Sequence, residues 1–318
     1  VTTPTQRLPY GIILAGGEGL RLQPLTKLIC GDRRPKQFCP LFGRQTLLAS
    51  TRARLRKVIL PEQLYFSVTR SHKRFYVREL ADVERSRILV QPSNRGTAAA
   101  VALAALTLLR RESDPVIAFV PADHYYQDDQ PFLDALRRSF EVARRNPSAV
   151  VLLGAEPDRP ETEYGWIEPA PAHSSSAPHS SAVRAVNRFW EKPSPVHAQD
   201  LFRRGCLWNT FVMVGRAETF RDLLYAAAPA MMIGFEDVFR KYRGFDHDAL
   251  IDLYQNLSPV DFSHQVLSVC TNRLLVMKLA HAGWSDLGKP ERVMETLTRA
   301  GLHPGWSGTL LKTSKATA

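Results

Sequence analysis

The sequence predicts an α/β protein on a doubly wound, mostly parallel sheet flanked by helices, and three observations carry that reading. First, an apolar run at residues 10–14 empties into Gly16-Gly17-Glu18-Gly19-Leu20-Arg21, a strand followed by a glycine-rich turn. Second, residues 116–120 are continuously apolar, as a parallel strand covered on both faces requires. Third, strand-like and helix-like runs alternate to about residue 155. Beyond that point paired strand-like runs predict a small antiparallel β annex. The 318 residues are expected to form one domain, with halves at 8–155 and 156–300 and a tail at 302–318.

In chain order, the glycine turn comes first. Glycine lets a backbone approach a ligand closely, and clustered N–H groups attract anions. Arg21 adds a guanidinium suited to phosphate. The turn is read as a phosphate cradle or as a plain tight turn; it matches neither the Walker nor the dinucleotide pattern. Residues 27–41 are rich in Pro, Gly and charge, and Pro35 and Pro40 exclude a helix interior there. Lys36, held in that segment, is a candidate phosphate ligand or a solvated surface lysine.

A helix is expected at 46–58, a strand at 63–69, a short helix from Ser71 and a strand at 88–91. Residues 98–109, rich in Ala and Leu, predict a close-packed helix. Its N-terminus, capped by Asn94 or a neighbour, would offer free N–H groups to a ligand. The strand at 116–120 ends in Pro121-Ala122-Asp123-His124. Asp123 there is a candidate Mg²⁺ ligand or a turn and cap residue, and His124 is expected to pack beside the turn.

A helix at 131–145 and a strand at 149–154 close the first half. Strands at 164–168 and 183–190 flank an Ala/Pro/Ser/His stretch at 169–182, read as a flexible hairpin tip and not as a metal site. Next come a helix at 195–204, a strand at 208–214, and helices at 217–242 and 246–255 broken by Pro229 and Gly234. Ser258-Pro259-Val260-Asp261 reads as a helix start with Ser258 as N-cap. A strand at 274–279 runs into Gly283-Trp284-Ser285-Asp286-Leu287-Gly288, and a helix runs from Pro290 to Gly301.

Composition bounds the function. No apolar run reaches the roughly 20 residues of a membrane span, and the N-terminus lacks the pattern of a signal peptide. The scattered Cys30, Cys39, Cys206 and Cys270 read as reduced thiols of a cytoplasmic protein. The net charge of +11 raises the question of nucleic acid, but the arginines are spread over many segments without aromatic interleaving. No nucleic-acid or membrane partner is expected. A basic field also steers polyanionic small substrates.

Five stretches together resemble the sugar-1-phosphate nucleotidyltransferases, above all the mannose-1-phosphate guanylyltransferases. They are Leu14-Ala15-Gly16-Gly17-Glu18-Gly19-Leu20-Arg21-Leu22, Pro35-Lys36-Gln37-Phe38, Pro121-Ala122-Asp123-His124, Trp190-Glu191-Lys192-Pro193 and Gly283-Trp284-Ser285-Asp286-Leu287-Gly288. Asn94-Arg95-Gly96-Thr97-Ala98, Glu161-Thr162-Glu163-Tyr164-Gly165 and Trp208-Asn209 support them. The resemblance implies the Rossmann-like, mixed sheet of the nucleotide-diphospho-sugar transferases. It also implies a reaction in which GTP and a sugar 1-phosphate give a GDP-sugar and pyrophosphate, with Mg²⁺ as cofactor. A monomer or homodimer is expected, confined to the catalytic unit without the β-helix or cupin-like domain of some relatives.

Carried over residue by residue, Leu14, Ala15, Gly16, Gly17, Gly19, Asn94 and Thr97 would bind nucleotide, with Arg21 on the β- and γ-phosphates and Lys36 near the α-phosphate. Asp123 and Asp286 would ligate Mg²⁺, and Asp123 would also face the nucleotide. Lys192 would neutralise the sugar phosphate; Gly165, Glu191, Asn209 and Asp261 would meet the sugar. For Asp261 a helix-terminal role stands equally open. Gln37 and Phe38 favour guanine over the UTP or dTTP branches. The chain departs from the family pattern at Leu20, where Thr is usual, at Gly96, where Asn is usual, at Thr97-Ala98-Ala99, which lacks a proline, and around residues 30–34. Leu20 keeps a non-catalytic, nucleotide-sugar-sensing homologue as the alternative.

Overall fold

The computed structural model describes residues 8–171, 183–241 and 247–307. The stretch expected to form a hairpin tip falls mostly at 172–182 and the expected tail mostly at 308–318, outside the described residues.

The first half contributes β1 (Tyr10–Leu14), α1 (Gln23–Cys30), α2 (Leu47–Leu55), β2 (Leu64–Thr69), α3 (Lys73–Glu79), β3 (Ile88–Gln91), α4 (Thr97–Leu109), β4 (Val116–Pro121), α5 (Asp129–Arg145) and β5 (Val150–Ala155). The second contributes β6 (Gly165–Pro169), β7 (Val183–Glu191), α6 (Pro195–Arg203), β8 (Leu207–Arg216), α7 (Ala217–Ala227), α8 (Pro229–Lys241), α9 (His247–Asn256), β9 (Leu274–Leu279) and α10 (Pro290–Ala300).

The nine strands form one sheet in the order β3-β2-β1-β4-β8-β5-β9-β7-β6. Parallel pairing joins β3 to β2, β2 to β1, β1 to β4 and β5 to β9. Only β7 and β8 run against the other seven, so the sheet is mixed and mostly parallel in direction. Two apolar clusters cover its faces. One gathers α2 and α5 side chains such as Leu48, Leu55, Phe132 and Leu136; the other gathers α4, α7 and α8 side chains such as Leu103, Phe220 and Phe235. β1, β2, β4 and β5 are almost wholly buried, which is why their sequences are nearly unbroken apolar runs.

The structure corrects three local expectations and fills in two others. The antiparallel pair β6 and β7 is continuous with the main sheet: Trp166 of β6 pairs with Trp208 of β8 and Ile167 with Leu207, so the pairings β8-β5-β9-β7-β6 close on themselves. A helix, α1, occupies Gln23–Cys30 where the reading from residue 27 saw only Pro, Gly and charge. Pro24 is tolerated because it lies in the first turn, and Gly31 ends the helix in the left-handed region (φ +77°). Gly234 does not break α8; it lets α9 approach, since a Cβ there would lie 2.7 Å from Leu253 Cδ1. Asp261, not Ser258, caps the following turn of π-helix (Phe262–Leu267), accepting from the His264 N–H at 2.8 Å. Of Asn94 and its neighbours, Gly96 is the N-cap of α4.

The backbone at Gly96 calls for glycine. Its φ is +85°, and a Cβ would fall 2.2 Å from the Val260 carbonyl oxygen. The chain entering α4 is thus docked backbone to backbone on residues 260–262. Gly96→Ala is expected to lower folding stability by about 3 kcal/mol. A urea midpoint equal to the parent's would show that the two segments separate freely.

Candidate active site

The candidate residues converge where β1, β4 and the chain following β9 end. Antiparallel backbone bonds between Tyr125 and Ser285, at 2.9 and 3.0 Å, tie the segment after β4 to the segment after β9. Asp123 and Asp286 lie on those two segments. The Lys36 ammonium joins them: Nζ is 3.3 Å from Asp123 Oδ2, donates to the Asp286 carbonyl, and lies 3.4 Å from the Leu287 carbonyl. Lys36 is 9% exposed, so its reading as a solvated surface lysine is excluded.

The glycine turn is held open by side chains from neighbouring segments. Gln37 Nε2 donates to the Ala15 and Gly17 carbonyls at 3.0 and 2.8 Å, and Thr69 Oγ1 donates to the Gly16 carbonyl at 3.0 Å. A Cβ on Gly16 would meet Thr69 Oγ1 at 2.9 Å, whereas one on Gly17 would meet nothing within 4 Å. Gly19 is left-handed (φ +60°), and a Cβ there would stand 3.1 Å from the Lys36 backbone nitrogen. The turn and the Lys36 segment therefore pack directly together. Arg21 reaches across to the second half, its Nη1 2.6 Å from Glu163 Oε2, and Lys289 approaches the other oxygen of Glu163 at 3.5 Å. Leu20, where a hydroxyl is usual, points outward and is 67% exposed.

Asp286 is tightly held. Its Oδ1 accepts from Tyr164 Oη at 2.8 Å, from the Gly288 N–H at 2.9 Å and from Arg292 Nη1 at 2.5 Å. Burial disfavours its charge, but Lys36 and Arg292 outweigh that and hold its carboxyl below the usual carboxylate range. Arg292, from α10, is itself buried; its other arm bonds Glu161 at 2.7 Å and its plane lies over the Tyr164 ring. His124 packs beside the turn as expected. Trp284 Nε1 donates to its Nδ1 at 3.2 Å, and burial pushes its pKa down, so it stays neutral.

The second half brings Gly165, Glu191, Lys192, Asn209 and Asp261 into one neighbourhood. Gly165 pairs with Glu191 across β6 and β7. A Cβ on Gly165 would lie 2.8 Å from Glu191 Oε2 and 3.4 Å from Asn209 Cβ. Burial raises the Glu191 pKa and the charge of Asp261 adds to it, with Lys192 opposing at 3.8 Å. Asn209 Nδ2 points to Ser263 Oγ at 3.4 Å.

Asn94 and Thr97 are engaged elsewhere. Asn94 Oδ1 accepts from the Gly96 N–H at 3.0 Å, Thr97 Oγ1 accepts from the Phe262 N–H at 2.9 Å, and the Ala98 N–H donates to the Val260 carbonyl at 3.1 Å. The expectation of free N–H groups at the start of α4 is therefore corrected at Ala98. Glu163 and Tyr164 lie in a stretch that supports the resemblance but carry no assigned role there, and Arg292 and Lys289 are not singled out by the sequence. Charged residues on an amphipathic helix read as a solvated face, and only the fold shows Arg292 turned inward.

The Nucleotidyl transferase family matches residues 10–300. The chain belongs to that family. Among relatives, Xanthan biosynthesis protein XanB of Xanthomonas campestris pv. campestris (strain B100) is 30% identical over 300 residues, 91% of this chain and 60% of its own length. Mannose-1-phosphate guanylyltransferase RfbM of Salmonella typhimurium is 30% identical over 283 residues, 87% of this chain and 56% of its own. The chain thus spans less than two thirds of these relatives. The crystal structure of mannose-1-phosphate geranyltransferase from Thermus thermophilus superposes with a TM-score of 0.76 at 33% identity, covering 90% of this chain and 79% of that one. Among the described residues no helix is long and apolar enough to cross a membrane.

Proposed function

We propose that the chain transfers a nucleotidyl group from a nucleoside triphosphate to a sugar 1-phosphate: GMP from GTP to mannose 1-phosphate, giving GDP-mannose and pyrophosphate in the cytoplasm. The observation that carries the reading is the buried Lys36 ammonium, 3.3 Å from Asp123 and donating to the Asp286 backbone, on a segment whose backbone packs against the glycine turn at Gly19. Such an arrangement suits a reaction between two anions. The names of the Salmonella and Thermus relatives supply mannose 1-phosphate, and the former supplies guanine.

An oxygen of the sugar phosphate attacks the α-phosphorus in line, and the bond to the β-phosphate breaks. That oxygen is already ionised at neutral pH, so no general base is required. The work left to the protein is to position two anions and offset their repulsion. Lys36 faces the α-phosphate and the turn cradles the rest. Arg21 binds the β- and γ-phosphates, replacing Glu163 with phosphate oxygens. Lys192 meets the sugar phosphate, while Glu191, Asn209 and Asp261 accept from or donate to sugar hydroxyls.

Asp123 and Asp286 fit Mg²⁺, which takes one or two carboxylates together with substrate phosphates. With Asp286 Oδ1 occupied by three donors, Oδ2 is the atom left for a cation. Bound there, Mg²⁺ would add positive charge beside the leaving pyrophosphate. Among the described residues no cluster of three or more His, Cys, Asp or Glu could by itself hold a metal ion.

The test is a coupled pyrophosphate assay over four nucleotides and several sugar 1-phosphates, with and without chelator. Release should require GTP, mannose 1-phosphate and Mg²⁺ together. Release with UTP or dTTP instead would overturn the guanine assignment, and release that a chelator leaves untouched would overturn the metal. Lys192→Ala is expected to raise the KM for sugar phosphate about tenfold or more, the loss of one charge-assisted contact, with little change for the nucleotide. Equal changes in both constants would remove Lys192 from the sugar-phosphate side.

A further inference from the structure

Cys30 ends α1 and Cys39 follows the Lys36-Gln37-Phe38 turn, yet their Sγ atoms stand 3.4 Å apart. Cys39 is fully buried, in a cluster with Leu22, Leu25, Leu41 and Leu287; Cys30 is half-buried at its edge. The residues between them carry two groups of the candidate site: Lys36, and Gln37, which holds the Ala15 and Gly17 carbonyls. Among the described residues the other two thiols, Cys206 and Cys270, are buried and distant in sequence, and no disulfide is formed.

We propose that Cys30 and Cys39 are a reversible dithiol–disulfide pair, oxidised by low-molecular-weight disulfides, whose closure fastens the Lys36 segment to the end of α1. The sulfurs need to approach by only about 1.4 Å to reach bonding distance, a displacement within reach of side-chain rotation and a small backbone shift. The order of events follows from exposure. The Cys30 thiolate attacks one sulfur of the small disulfide, breaking its S–S bond and releasing one small thiolate. Cys39 then gives its proton to solvent and attacks Cys30 Sγ, breaking the mixed disulfide and expelling the second small thiolate. Two protein thiols are oxidised, and one small disulfide is reduced to two thiols.

Burial, with Cys30 beside it, pushes the Cys39 thiol well above the ordinary range, so Cys39 is a poor first nucleophile and acts only once its partner is activated. Arg34, anchored on Asp32 at 2.7 Å, opposes that rise with its positive charge. Cys206 and Cys270 are buried like Cys39, whereas Cys30 is half-buried, which makes Cys30 the point of entry. Closing the bond draws Cys39 toward α1, and Lys36 lies three residues before it with its ammonium already fixed on Asp123. The pull therefore falls on that contact.

The full chain is titrated with glutathione disulfide, and products are read by intact mass and peptide mapping. The expected product has lost two hydrogens, retains no glutathione, contains a Cys30–Cys39 cross-linked peptide, and reverts with dithiothreitol. Cys39→Ser should stop at a stable glutathione adduct on Cys30, and Cys30→Ser should not react at Cys39. A wild-type protein that stops at the adduct, takes up no oxidant, or links other cysteines overturns the proposal. The effect on turnover rests on the proposed function. Linked wild type should release pyrophosphate several-fold more slowly and recover on reduction, while Cys30→Ser is indifferent to the oxidant. Linked protein with unchanged turnover overturns the fastening. Reduced protein inactive with every substrate pair would overturn the function and leave the bond, read by mass, standing.

Discussion

Asp286→Asn is expected to lower turnover by about 10³ while leaving the fold in place. The substitution is nearly isosteric, and the amide oxygen can still accept from Tyr164, the Gly288 N–H and Arg292, the three donors that Asp286 Oδ1 now serves. What changes is the other atom. Oδ2 becomes an NH₂ group, which carries no charge and cannot ligate a cation. Arg292 keeps its bond to Glu161 at 2.7 Å, so its guanidinium is not stranded. The melting temperature should fall by only a few degrees, the equivalent of about 1 kcal/mol. Single-turnover pyrophosphate release and a thermal melt, measured together, separate the two effects. Unchanged turnover would show that Asp286 serves only to hold Arg292 and Tyr164.

The parts of this site legible in the sequence are those with local signatures. Residues 10–14 and 116–120 announce buried parallel strands because both of their faces are covered, and the acid and glycine turns at strand ends follow from the same runs. Long-range pairing leaves no such mark. That β8 would insert antiparallel between β4 and β5, and that β6 would return to pair with it, depends on contacts far apart in the chain. Capping was ambiguous for a chemical reason: Ser258 and Asp261 are both good N-cap residues, and the docking of residues 260–262 on Gly96 decides between them. Arg292 was hidden for a third reason. Its neighbours on α10, Glu291 and Glu295, are charged, so the helix reads as solvated, although Arg292 lies on the same face as buried Val293 and Thr296.

Lys36→Ala should cost turnover about 10²- to 10³-fold, and Lys36→Arg should not restore it. The ammonium is a compact charge with three donors, and the site presents three acceptors close to it: Asp123 Oδ2, the Asp286 carbonyl and the Leu287 carbonyl. A guanidinium is planar, wider and set further from the backbone, so in a pocket this enclosed it displaces either Asp123 or the backbone after Trp284. Alanine leaves Asp123 without its ion-pair partner, and water can enter to solvate the carboxylate because Asp123 is only partly buried. The stability loss is accordingly expected to stay near 1–2 kcal/mol, below that of breaking a fully buried pair. The decisive measurement is the split between constants. If Lys36 meets the α-phosphate as charge shifts there, kcat falls far more than the nucleotide KM rises. If instead the lysine only bridges two loops, Lys36→Ala weakens nucleotide and sugar-phosphate binding together with the melt, and lowering the temperature restores all of them.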